Sequence, residues 1–176
     1  MKKTLLIILA LIMLFTMTAC SGTPVDDSSI TPDGSEETEA TVKEVSLPTE
    51  NPFVKVTIPE GWEYNETRST PSQVYITKID SSYPNPEFQF NKSSRDMQDA
   101  YDHELEFWGE SRTLLEDKMY GTSTYKRLGF TWNDAPSVTL FTDWADHEGD
   151  SIEVSCFCID PEDPIIQELM QSASYF

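Results

Sequence analysis

The densest run of chemistry-bearing side chains is Asp143-Trp144-Ala145-Asp146-His147-Glu148-Gly149-Asp150. Four carboxylates (Asp143, Asp146, Glu148 and Asp150) with a glycine near a turn are the donors calcium takes, since that cation wants six to eight oxygens. The spacing is not that of an EF-hand loop, which needs acids at alternate positions and a distal glutamate. The run therefore reads as a solvated turn, with a weak calcium site as the sharper alternative. The aromatic residues are the second candidate. Trp62, Trp108, Trp132 and Trp144, with seven tyrosines, are the kind of side chain that lines a sugar or peptide groove. Trp132 and Trp144 fall at strand ends beside turns, where exposure is expected. Trp108 falls on the apolar stripe of a helix, where the core is expected.

Other chemistry is thinly represented. Cys156 and Cys158 stand two apart in a strand-like segment, so both point to one face at a separation that strains a disulfide. They read as small apolar core residues. A lone C-x-C with no second cysteine pair and no clustered histidine is weak evidence for metal. The two histidines, His103 and His147, stand among acids, which favours the charged form, a poor ligand or base. There is no nucleophile elbow, no H-E-x-x-H and no glycine-rich phosphate loop. With 31 acids in the chain, carboxylate pairs arise everywhere, so pairing alone selects no glycosidase-like dyad. No residue is assigned a catalytic role.

The formal net charge is -19 over 176 residues. Such a surface repels phosphate backbones and anionic headgroups, which excludes nucleic acid as a partner and makes direct contact of the protein face with a membrane unfavourable. The N-terminus offers another route to a membrane. Met1-Lys2-Lys3 is a short cationic start, and residues 5–14 are wholly apolar. The stretch is short for a spanning helix and its flanks fit a signal peptide. It ends in Met17-Thr18-Ala19-Cys20. This tetrapeptide resembles the lipobox of bacterial lipoproteins, with methionine where leucine is more usual. The resemblance implies cleavage after residue 19 and diacylglycerol on the Cys20 thiol. Each buried methylene contributes about 0.8 kcal/mol, so acyl chains hold such a protein firmly to the bilayer. Residues 21–50, rich in Ser, Thr, Pro, Asp and Glu and free of aromatics, read as a disordered acidic tether with an average reach of about 30 Å.

Residues 51–176 are expected to form one domain, long enough to bury a core. Period-two alternation marks strands at residues 53–58, 74–79, 87–90, 123–132, 137–144 and 151–159, and residues 112–120 are ambiguous. Met97, Tyr101, Leu105 and Trp108 make one helical stripe, with Ser93 or Ser94 as the cap, Ser93 and Asp96 resembling an acidic capping box, and Gly109 as the stop. Asp163 and Pro164 open a second helix with Ile165, Ile166, Leu169 and Met170 on one face. Phe141 and Phe157 point away from Leu140, Val154, Cys156 and Cys158, so both sheet faces carry apolar side chains, which calls for cover on each or an aromatic patch on one. The expectation is an α+β domain, an antiparallel sheet packed between helices. Its layout resembles the PsbP/Mog-type superfamily in the Ile58-Pro59-Glu60-Gly61-Trp62 turn after the opening strand, the mid-chain helix and the Ile159-Asp160-Pro161-Glu162-Asp163-Pro164 passage into the final helix. That resemblance implies an α/β/α sandwich with binding or assembly roles and no shared active site.

The expected function is a lipid-anchored extracytoplasmic module that binds an envelope protein or peptide without catalysis, through a surface including Trp132, Phe141, Trp144 and Phe157. An envelope hydrolase with a carboxylate pair in an aromatic groove, and a weak calcium-binding module, are the alternatives.

Overall fold

Turn residues and β-branched alternation divide the chain into strands that neighbour one another in sequence, and such strands pair antiparallel. The computed structural model describes residues 43–176. The segment read as a signal peptide, the expected lipid attachment at Cys20 and most of the stretch read as tether lie outside the described residues.

Seven strands form one antiparallel sheet in the order β3-β4-β5-β9-β8-β7-β6. They are β3 (Trp62–Tyr64), β4 (Gln73–Lys78), β5 (Glu87–Ser93), β6 (Thr113–Tyr120), β7 (Ser123–Trp132), β8 (Ala135–Asp143) and β9 (Ser151–Phe157). The ambiguous segment is thus an edge strand. A second sheet has three strands, β1 (Lys43–Leu47), β2 (Val54–Ile58) and β10 (Ser174–Tyr175), with β2 in the middle. Two α-helices complete the described residues, α1 (Met97–Trp108) and α2 (Pro164–Ser172).

The inner face of the large sheet carries Val74, Ile76, Phe88, Phe90, Val138, Leu140, Val154 and Cys156, all buried. Val54 and Val56 of the small sheet and Phe53 just before it pack on it, together with Ile166, Leu169 and Met170 of α2. Asp163 caps α2 by accepting from the Ile165 N–H at 2.9 Å, and Pro164 opens it, as the residue types dictate. Arg127 is buried at the edge of this layer. It donates to the Pro161 carbonyl at 2.7 Å and to the Glu162 carboxylate, which ties β7 to the turn before α2.

The outer face is crossed by α1, which carries the chain from central β5 to edge β6 and packs on β8 and β9. Ala100, Leu128 and Phe141 form a small outer core, with Met97, Tyr101 and Leu105 against it.

Four expectations need correcting. The molecule is α+β but sheet-dominated, and it is not a helix-flanked sandwich: much of the inner cover is a second sheet. The domain begins before residue 51, because β1 lies within the stretch read as tether. Lys43, Glu44 and Ser46 suit an edge strand, and alternation brings Leu47 into the core, with its carbonyl accepting from the Phe53 N–H at 2.9 Å. The cap of α1 is Asp96, whose carboxylate accepts from the Asp99 N–H at 2.8 Å, because Ser93 is still paired in β5. Cys158 is outside the core. Its φ of 55° ends β9, turns the side chain away from Cys156, and leaves the thiol half-exposed with its sulfur 3.8 Å from the Trp132 carbonyl oxygen.

Candidate functional site: an aromatic groove on the outer sheet face

Where α1 ends it uncovers part of the outer face, and a groove of about 420 Å³ opens there. The register explains its floor. Gln89 of β5 lies opposite Ser155 of β9, and Ser155 lies opposite Thr139 of β8, so three short polar side chains run in one row across central strands. The Thr139 and Ser155 hydroxyls are 3.5 Å apart, and the Gln89 amide donates to Asn91 Oδ1 at 2.8 Å.

Aromatic rings wall the groove toward the ends of β7 and β9. Phe130 and Phe157 meet edge to face at 5.8 Å, and Trp132 leans on Phe157 at 5.3 Å. Trp108, the last residue of α1, stands on the other side. Trp108 is 49% exposed and Trp132 50%, so both indoles reach solvent at the mouth. Gly109 holds φ at 49° there, a value that side chains with a Cβ adopt at a cost, and this lets the chain leave the helix into β6.

That exit delivers Arg112. Its guanidinium lies 4.2 Å from the Phe130 ring centre and 5.1 Å from that of Trp108. Arg112 donates through Nη2 to Oε1 of Glu104, one turn back on α1. Only 10% of the Arg112 side chain and 24% of the Glu104 side chain is exposed. Arg112 Nε is buried with no acceptor among the described residues. The groove wall therefore holds a strong donor group and a carboxylate side by side, with charges that cancel locally. Behind them on the outer face of β9 lies Glu153. Its carboxyl is raised above the ordinary carboxylate range, chiefly because burial disfavours its charge, and further by nearby Glu104.

The residues singled out from sequence divide. Trp132 and Phe157 line the groove. Phe141 does not: it is 1% exposed and meets Tyr101 of α1 edge to face at 5.7 Å, because the helix stripe lands on it. Trp144 is 6% exposed, against Phe53 and with the His147 ring tilted over it at 3.7 Å. The turn folds it inward through the His147 N–H to Trp144 carbonyl bond of 2.8 Å, so it is a core residue rather than a surface one. Among the described residues no group of three or more His, Cys, Asp or Glu side chains comes together, so Asp143, Asp146, Glu148 and Asp150 do not converge on a calcium site. Trp108 reverses its expectation, since it is exposed and not in the core. Arg112, Glu104, Phe130 and the polar row were missed. The alternation of Ser155 with Phe157 and of Thr139 with Phe141 did mark one outer face. Nothing in the local pattern brings Arg112 to it.

Fold and site together define a class: a sheet-dominated α+β domain with an aromatic groove on one sheet face. No finer class comes from comparison. No family model matches the chain, and no curated protein does. A solved structure from Bacteroides thetaiotaomicron is similar over 70% of this chain at 14% identity, with a TM-score of 0.44. This chain spans 45% of that one, and the likeness is too slight to inform fold or function.

Proposed function

We propose that this chain is a lipid-anchored module on the outer face of a bacterial membrane that binds a small ligand in the groove and carries out no chemistry on it. The observation that carries the reading is the groove itself. Its volume falls in the usual range for small-molecule sites, and it combines exposed aromatic faces with a few convergent polar groups. Glu104 is the one carboxylate among its lining residues and is committed to Arg112, which leaves no pair for acid and base work of the glycosidase kind. The anchor rests on the Met17-Thr18-Ala19-Cys20 signal. No helix among the described residues is long and apolar enough to cross a membrane. The layout of strands, helix, strands and final helix supports kinship with PsbP/Mog-type domains as part of the same proposal.

The test has two arms. Cells expressing the full chain and fed labelled palmitate should yield a labelled, processed protein, and Cys20→Ser should abolish the label. Absence of label on the natural chain defeats the anchor. The purified full chain, screened by thermal shift against neutral, cationic and anionic small molecules, should be stabilised by one class and lose that gain in Trp132→Ala. A chain that no class stabilises defeats the groove as a binding site.

A further inference from the structure

The chemistry of the groove narrows its ligand. Arg112 offers donors and Glu104 an acceptor at adjacent positions, while Ser155 and Thr139 hydroxyls and the Gln89 amide each carry both. Adjacent hydroxyls on a ring, each donor and acceptor at once, match that arrangement. An anion is attracted by Arg112 but meets Glu104 and a chain of net charge -19. A cation finds the aromatic faces of Phe130 and Trp108 already covered by the Arg112 guanidinium. An acyl chain takes water from the polar row and offers it no bond beyond those its members make to Asn91 and to one another, which costs free energy on burial. A peptide finds no ladder to join, because the floor lies on β5, β9 and β8, each paired on both sides. A sugar ring has an apolar C–H face for an indole and a rim of hydroxyls for the floor.

Resting on the reading of the groove as a binding site, we infer that its ligand is a neutral saccharide of one or two rings. The C–H face of one ring lies on the indole of Trp132 at the mouth, and the hydroxyls reach Arg112, Glu104 and the row of Gln89, Ser155 and Thr139.

Saturation-transfer NMR on the full lipidated chain in nanodiscs, with empty nanodiscs as blank, tests this. The probes are glucose, N-acetylglucosamine, cellobiose and chitobiose. At least one should receive saturation, strongest at its ring C–H protons, and the signal should fall about tenfold in Trp132→Ala. Trp108→Ala serves as the second variant. Tyr83→Ala, on an exposed side chain outside the groove lining, should leave the signal unchanged. Parallel arms use glycine betaine, hexanoate and a neutral tripeptide. Transfer to one of these with none to any sugar overturns the saccharide and keeps the groove as a binding site. Transfer to no probe of any class overturns both. Sugar transfer undiminished in both tryptophan variants overturns the assignment to this groove.

Discussion

At the residue scale the outer face shows how one strand position can serve structure and its neighbour a site. Phe141 and Ser155 point the same way, yet the first lies under α1 and the second lies open in the groove. Glu153 shares their face and is held in a partly dry environment that raises its carboxyl above the usual range. The sign of the consequence follows from linkage. A carboxyl whose folded value is raised binds protons more tightly in the fold than in the unfolded chain. Its penalty is absent at low pH and grows as pH rises from the ordinary carboxylate value through the folded value. Glu153→Gln, which keeps the side-chain shape without the charge, should therefore raise the melting temperature at pH 7 by about 1–3 °C. Below about pH 4 the difference should vanish. A variant less stable than the natural chain at pH 7 would show that Glu153 is stabilising in its charged form. The thiols behave in the same physical terms. Burial pushes Cys156 well up, so it is an inert core group, and Cys158 is raised by its own partial burial and by Glu87.

At the element scale α1 governs the groove, because its two ends decide where its last turn stands. Asp96 holds the start and Gly109 the finish. Asp96→Ala should cost about 1 kcal/mol in chemical denaturation through the lost cap. Gly109→Ala should cost about 1–2 kcal/mol from backbone strain alone, since a Cβ there meets open space. The two changes should differ in a second readout. Ligand capture by the groove should fall further in Gly109→Ala, which disturbs the step from Trp108 to Arg112, than in the distant Asp96→Ala. Equal capture by both variants would mean that the helix end does not set the groove.

At the scale of the whole molecule the small sheet closes the inner core, and its first strand is drawn from a stretch whose composition reads as linker. The core therefore depends on residues that precede its obvious aromatic start. A chain shortened to begin at residue 41 should fold as the natural one does. A chain beginning at residue 51 loses β1, leaves an edge of β2 without its partner and removes the burial of Leu47, worth about 1.5–3 kcal/mol by itself. Its melting temperature should drop by several degrees. Equal melting of the two shortened chains would make β1 dispensable.

The class of each element was legible from the residues alone, because period two, period 3.6, the Asp163-Pro164 start and the Gly109 stop are local properties of the chain. Alternation also showed that apolar side chains stand on both faces of the β8 and β9 pair, and composition that the surface is acidic. The tetrapeptide Met17-Thr18-Ala19-Cys20 resembles a lipobox, and no tertiary contact is needed to read that resemblance. Which apolar residues are covered is set by packing between elements distant in sequence. Whether Phe141 or Phe157, Trp144 or Trp108 meets solvent depends on where α1 and the turn after β8 come to rest. The same holds for Arg112 and Glu104, which are eight residues apart and meet because the chain leaves α1 at Gly109 and doubles back into an edge strand. Strand order works the same way. The row of Gln89, Ser155 and Thr139 joins positions up to 66 residues apart in sequence, and only the pairing of β5 with β9 and of β9 with β8 brings their polar groups into one floor.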